Sequence, residues 1–361
     1  MACVALTLPS MQRHEIVITS QNQVELQTNA FDLTLLPTEF LVETEFSFIS
    51  AGTELAIYTG LSKDALVPGN WCSHPFRPGY GNVGIVRAIG ERVTRVKPGQ
   101  RIFAFQKHAS LVKGDEAKYE QGFSIAVPEG LDPAIAAASR MAGVAATAVI
   151  KAELPRHPWV VVFGLGAVGN LAAQAFGILG ARVIGVDPNA ARRKLASVCN
   201  IPHVLGGTPA EVLTQIRELT EGQLAHISVE AAGNSAVALQ ALQATAQHGQ
   251  LILLGTARGD YPTDLTPFLN AIHTRFLTVR GAHEWCIPAY PPTPGNGPNL
   301  FDKQRMIFDW IMAGRMQIAP LISHRMEPSE IKQAYDGLLL HPETYTGVVL
   351  DWTRLPRPFE R

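Results

Sequence analysis

Three glycines and an aspartate offer the clearest chemistry in this 361-residue chain. Gly164, Gly166 and Gly169 stand in G-x-G-x-x-G spacing, and Asp187 follows further on, at the end of the next apolar run. Gly164 permits a tight turn. Gly166 has no Cβ to block a pyrophosphate, and Gly169 lets a helix and a strand pack closely. A helix starting here offers free N–H groups and a positive dipole end to phosphates. Asp187 lies where a carboxylate can accept both ribose hydroxyls of an adenosine. Its charge would repel a 2′-phosphate, so NAD(H) is expected over NADP(H). The residues expected to hold this cofactor are Gly164, Gly166, Ala167, Val168, Gly169, Asp187, Arg192, Ala232, Gly255 and Ala282.

Such glycines must be positioned by a strand before them and a helix after them, because the spacing alone also closes ordinary turns. Val160 to Phe163 is a short apolar, β-branched run that reads as a buried parallel strand. A helical pattern runs from Asn170 to about Leu179 and is closed by Gly180; a second strand, Ala181 to Val186, ends on Asp187. Pro158 to Ala181 carries no charge, but the glycines inside it and the Asp and Arg residues after it favour a buried α/β unit over a membrane span. Beyond Asp187, short strands at His203–Leu205, Ile227–Glu230, Gln250–Gly255 and Leu277–Arg280 alternate with helical patterns at Pro209–Thr220 and Ser235–Ala246. That alternation predicts a doubly wound parallel sheet.

Upstream, the chain to about Val144 has another texture. Alternating runs at Glu15–Thr19, Phe40–Ser47, Val83–Ile89 and Arg101–Phe105 are broken by Gly and Pro, as in a β-rich, barrel-like domain. A helical pattern from Asp132 into Ile150 joins it to the nucleotide domain. Near the other end, Pro288 to Pro298 reads as a surface loop. Helices at Asp302–Met312 and Pro328–Leu339 and a strand at Thr346–Leu350 follow, and are expected to fold back onto the first domain. The expected domains are therefore residues 1–143 with 285–361, and 144–284.

Composition narrows the function classes. A net charge of −1 gives no field to attract nucleic acid or an anionic membrane. Arg193 and Lys194, with Arg192, look like the solvated face of a helix. Cys3, Cys72, Cys199 and Cys286 are far apart and contain no C-x-x-C. They argue for a reducing cytoplasm, and against a disulfide framework or a thiolate zinc site. No signal peptide is evident. Ser50 has no visible His–Asp partners, which argues against a hydrolase triad.

Several further stretches match the pattern of one superfamily: Ala51-Gly-Thr-Glu-Leu-Ala-Ile-Tyr-Thr-Gly60, Pro78-Gly-Tyr-Gly-Asn-Val-Gly84, Val96-Lys-Pro-Gly-Gln-Arg-Ile102, Val229-Glu-Ala-Ala-Gly233 and Thr346-Gly-Val-Val-Leu350. With the glycine motif, they make the chain resemble the medium-chain dehydrogenase/reductase superfamily over nearly its whole length. The Ala-Gly-Thr-Glu form and the Gly-Val-Val-Leu-Asp-Trp ending look like a subgroup often grouped with the bacteriochlorophyllide hydroxyethyl dehydrogenases. The resemblance implies an α/β protein: a GroES-like, β-barrel-type catalytic domain and a Rossmann cofactor domain. It also implies a small-molecule substrate and a homodimer or homotetramer.

The departures from that pattern bear on mechanism. Zinc members of the superfamily read Cys-Gly-Ser/Thr-Asp-x-His where this chain has Ala51, Thr53, Glu54 and Ala56, and Gly-His-Glu where it has Gly79-Tyr80-Gly81. Their third ligand falls at about Arg140. Neither Ala nor guanidinium can ligate zinc and Tyr is an uncommon ligand, so no metal is expected. Arg140 could then supply fixed positive charge to a developing alkoxide, or simply pair with Glu54. Tyr80 could hold or transfer the proton, or be a packed aromatic. Thr53 could bind the substrate oxygen, or hydrogen-bond the backbone. His283 follows a strand that in the superfamily passes close to the nicotinamide, making it an acid/base candidate or a cofactor contact. Glu54 and His108 are candidates for substrate contact, with a surface loop as the alternative for His108.

The expectation is a zinc-independent, NAD(H)-dependent enzyme interconverting a secondary alcohol, on a sugar, cyclitol or polyol, and a ketone. The alternatives are an enone or quinone reductase using NAD(P)H, and a non-catalytic NAD-binding protein.

Overall fold

A computed structural model describes residues 11–118, 122–290, 297–357 and Phe359. The described elements fall into two units: one takes the chain up to Arg140 and again from Ile322, the other Met141–Leu321.

The first unit is built around β3. Strands β1 (Met11–Ser20) and β2 (Gln23–Phe31) form an antiparallel ribbon. β3 (Glu39–Phe48) is followed by helix α1 (Ala51–Tyr58), then β4 (Asn82–Ile89), β5 (Arg101–Ala104), β6 (Leu111–Asp115), β7 (Ser124–Ala126) and the first half of helix α2 (Pro133–Lys151), whose residues from Met141 on count with the second unit. β3 pairs antiparallel with both β4 and β6, and its residues are buried almost throughout. The acids that this burial encloses are neutralised: Glu43 by Arg87 and Arg357, Glu45 by Arg101. α2 is long and apolar enough to cross a bilayer, but 78% of its apolar window is buried in protein, as for a core helix.

The second unit alternates strand and helix: β8 (Trp159–Phe163), α3 (Ala167–Ile178), β9 (Arg182–Val186), α4 (Ala190–Val198), β10 (His203–Leu205), α5 (Pro209–Leu219), β11 (Ala225–Glu230), α6 (Ser235–Ala244), β12 (Thr245–Leu253), α7 (Thr266–Thr274), β13 (Thr278–Gly281) and α8 (Leu300–Met312). All six strands are parallel, in the order β10-β9-β8-β11-β12-β13. β8, near the middle, is buried at every residue, which explains its unbroken apolar run. Starts are set locally: Asn189, Thr208, Asn234 and Asn299 accept N–H groups at the first turns of α4, α5, α6 and α8. The chain returns to the first unit through β14 (His324–Met326), α9 (Ile331–Leu340) and β15 (Val348–Asp351); β15 pairs with β3.

The GroES-like and Rossmann expectation holds, with one correction to the boundaries. Trp285–Leu321 belongs with the nucleotide unit, not with the first domain. The Lys303 ammonium, buried on α8, pairs with Glu284 at 2.5 Å. Gln317 N–H donates to Gln174 of α3, and Arg315 to the carbonyl of Ile178. Only the last strand, with β14 and α9, returns to the first unit. Within the expected loop Pro288–Pro298, residues 291–296 lie outside the described set.

Candidate active site

The glycine turn after β8 has the shape that its spacing predicts. Gly164 has φ +90°, and a Cβ there would come 2.8 Å from Ala232 N. A Cβ on Gly169 would lie 1.8 Å from the Gly164 carbonyl oxygen, so only glycine lets α3 start this close to β8. Gly166 differs: nothing of the protein lies within 4 Å of its Cβ position. The space in front of the N-terminus of α3 is open to a phosphate, and Ala167 and Val168 form its first, half-buried turn. Asp187 closes the arrangement. Its carboxylate is buried and accepts Leu165 N–H and Asn189 N–H, each at 2.8 Å, while Arg192 approaches to 3.7 Å. It therefore stitches the glycine turn to the end of β9. Ala232 is exposed and Gly255 half-buried at the ends of β11 and β12. Ala282 is buried, its N–H donating to the Leu253 carbonyl. These residues fit a nicotinamide dinucleotide. His283 is exposed in the same unit, at the start of the short turn Glu284–Cys286.

The first unit carries the other cluster. Gly79, at φ +99°, lets the chain pass so close to His108 that a Cβ would lie 2.4 Å from its amide nitrogen. Gly81 makes room for Arg140, whose Cγ would be 2.6 Å from a Cβ there. Between the two glycines, Tyr80 is placed with its hydroxyl in a short hydrogen bond to Ser50 Oγ. The Arg140 guanidinium is sandwiched, 4.7 Å from the Tyr80 ring centroid and 4.2 Å from that of Phe105, and its Nε donates to the Tyr80 carbonyl. Burial pushes the Tyr80 phenol above its ordinary value; the Arg140 charge and hydrogen bonds from Ser50 and Thr53 pull the other way, and Glu54 adds to the rise.

Behind this group lies an enclosed network. Glu54 Oε1 accepts the Ser50 backbone N–H at 2.8 Å, and Oε2 accepts the Tyr335 hydroxyl at 2.7 Å. His108 Nε2 is 3.2 Å from both carboxylate oxygens; its Nδ1 is 2.8 Å from Ser47 Oγ, which also accepts Trp352 Nε1–H. An ionised carboxylate only accepts, so Nε2 is assigned the proton. Burial alone would raise the Glu54 carboxyl, but His108, Tyr335 and the Ser50 N–H outweigh it and hold the group below its ordinary value.

Two expectations are corrected here. His108 is not on a surface loop but 1% exposed, because it answers the buried carboxylate of Glu54. Glu54 is enclosed as well, and it accepts the Ser50 N–H from behind. The proposed pairing of Arg140 with Glu54 gives way to Arg140 between two rings. Ser50 and Tyr335 were missed by sequence reasoning; the signal for Ser50 was its place just ahead of Ala51-Gly-Thr-Glu, as the residue preceding a helix.

Around Tyr80 the donor set is hydroxyl and guanidinium. Among the described residues no group of three or more His, Cys, Asp or Glu side chains converges. That set does not fit zinc.

Comparison with known proteins points the same way as the fold. The family profile described as zinc-binding dehydrogenase matches residues 167–287. An alcohol dehydrogenase from Geobacillus stearothermophilus is 25% identical over 52% of this chain, which spans 63% of that enzyme's length. Among solved structures, galactitol-1-phosphate dehydrogenase from Escherichia coli superposes with a TM-score of 0.77 at 19% identity, covering 94% of this chain and 99% of that one. A zinc-binding dehydrogenase from Sinorhizobium meliloti, solved with NADP, gives 0.75 at 19% identity with the same coverage. Residues 167–287 match the zinc-binding dehydrogenase family, and the relatives and the shared fold support a medium-chain dehydrogenase/reductase.

Proposed function

We propose that this protein is an NAD(H)-dependent oxidoreductase that interconverts a secondary alcohol, on a sugar, cyclitol or polyol, and a ketone without catalytic zinc. The observation that carries the reading is the Tyr80–Ser50–Arg140 cluster; by the resemblance, Tyr80 and Arg140 fall at positions that are metal ligands in the superfamily's zinc members. When bound, the nicotinamide supplies or accepts the hydride. The chain's own residues must then bind the oxygen and move one proton. Tyr80 suits that task better than His283, because its hydroxyl is held by Ser50 and its ring lies against a permanent positive charge. The raised phenol keeps its proton at neutral pH, so in ketone reduction Tyr80 donates to the carbonyl oxygen as the hydride arrives at carbon. Ser50 and Thr53 hydroxyls stabilise the phenolate left behind, and Arg140 stabilises the negative charge on oxygen. In alcohol oxidation the proton returns along the same route. A reducing, cytoplasmic location goes with this reading, as the wide spacing of the cysteines in the sequence suggests. A homodimer or homotetramer is the expected assembly, checked by light scattering.

The deciding experiment follows nicotinamide absorbance with chelator-treated protein on two panels: sugars, cyclitols and secondary alcohols with their ketones, and enones with quinones. Turnover on the first panel, with Tyr80→Phe slower by roughly 10²-fold or more at unchanged cofactor affinity, is expected. Turnover only on the second panel with NADPH, or an unchanged rate in Tyr80→Phe, would overturn the reading.

A further inference from the structure

Glu230 ends β11 and has no part in the chemistry above. Its carboxylate is buried, with Oε1 accepting Ala232 N–H at 2.8 Å and Asn234 N–H at 3.3 Å. Its main-chain carbonyl accepts Leu254 N–H and Gly255 N–H, each at 2.9 Å. One residue therefore ties together the loops that follow β11 and β12.

The neighbouring glycines leave no slack. A Cβ on Gly255 would stand 2.3 Å from Gly233 N and 2.9 Å from Glu230 Oε2. Gly233 itself has φ +68°, and a Cβ there would lie 2.6 Å from the Thr256 carbonyl oxygen. Gly164 presses against Ala232 in the same way. The glycine turn, residues 231–234 and residues 254–256 are thus packed as one body at the carboxyl ends of β8, β11 and β12. Burial raises the Glu230 carboxyl, and the backbone N–H groups of Asn234, Ala232 and Gly233 oppose that rise.

The sheet order gives this body a direction. β9 and β10 lie on one side of β8; β11, β12 and β13 lie on the other. A dinucleotide on a doubly wound sheet spans the switch between the two sides. Asp187 marks the β9 side as the place of the adenosine, so the other half lies over the ends of β11 and β12. We infer that Glu230 is a positioning residue for the nicotinamide half of the cofactor, fixing residues 231–234 and 254–256 without touching the cofactor itself. This rests on the dinucleotide reading of the same site.

The test compares the binding of NADH with that of ADP, which carries only the adenosine side and the pyrophosphate. Calorimetric titration of the full chain is run on wild type, Glu230→Gln, Glu230→Ala and Gly255→Ala. The last leaves the carboxylate in place but pushes on Gly233 N, so it perturbs the same loops independently. Expected is a loss of NADH affinity of about tenfold or more in Glu230→Ala and Gly255→Ala, smaller in Glu230→Gln, which keeps one acceptor oxygen. ADP affinity is expected to change less than about twofold in all of them. NADH and ADP weakening together, or NADH affinity unchanged in Glu230→Ala and Gly255→Ala, would overturn the inference. A wild-type protein that bound neither would remove the dinucleotide reading, and this inference with it.

Discussion

Glu54 shows what a single residue contributes when its partners come from distant parts of the chain. Its carboxylate gathers His108, Tyr335 and the Ser50 N–H inside the first unit, and no local pattern could announce that three-way meeting. The sequence marks Glu54 as interesting but leaves its partner open, which is why Arg140 was a candidate and why His108 read as surface. Because the folded carboxyl lies below its ordinary value of 4.5, its stabilisation is fully present above about that pH. It is lost as the pH falls through the lower folded value. Glu54→Gln is therefore expected to destabilise the protein near neutrality by roughly 2 kcal/mol, since hydrogen bonds to a charged group are replaced by weaker ones. It should also flatten the fall of stability in acid. Urea unfolding from neutrality down to well below the ordinary carboxyl value of 4.5 reads both effects; a mutant curve parallel to wild type across the acid range would show that Glu54 is not the group responsible.

Elements were legible to the degree that burial is periodic. β8 stood out because every residue is enclosed, and His203–Leu205 was placed to the residue. α7 was missed although Phe268, Ala271 and Ile272 stand at helical spacing and pack on the core, because the helix is short and none of its residues is fully buried. α8 was recognised as a helix yet given to the wrong unit: an amphipathic stripe says that a face is covered, not which core covers it. Within the strand–turn–helix element β8–α3, the glycines separate fold from function. Gly169→Ala would drive a methyl into the Gly164 carbonyl and is expected to destabilise by roughly 1–3 kcal/mol or more. Gly166→Ala meets no protein atom and keeps an allowed backbone at φ −61°, so it should cost no more than about 1 kcal/mol, the preference of a helix N-cap for Gly over Ala. It should nevertheless abolish cofactor binding, because the methyl fills the place of the pyrophosphate. Thermal unfolding and cofactor titration on the two variants test this. Retained affinity in Gly166→Ala would remove the pyrophosphate from that spot.

At the scale of the whole chain, composition and charge excluded nucleic-acid partners as an expectation, while topology followed from alternation. The strand order of the second unit and the switch beside β8 come from packing rules that apply to any parallel sheet of this kind. Choice of cofactor is not settled at that scale, because two charges stand at the end of β9. Asp187 repels a 2′-phosphate, yet the Arg192 guanidinium lies 3.7 Å from its carboxylate and could receive one. The carboxylate is fixed by two backbone N–H groups, whereas Arg192 is partly exposed and screened by solvent. The fixed charge is expected to win, giving NADH the higher affinity. A ligand present at a hundredfold excess over its Kd stabilises the state that binds it by about 2.7 kcal/mol. For a unit of this size, each kcal/mol moves the unfolding midpoint by about 2–4 °C. NADH should thus raise the transition of the nucleotide unit by roughly 5–10 °C, and NADPH at the same concentration clearly less. Scanning calorimetry with each cofactor decides it: an equal or larger shift with NADPH would mean that Arg192, not Asp187, sets the preference.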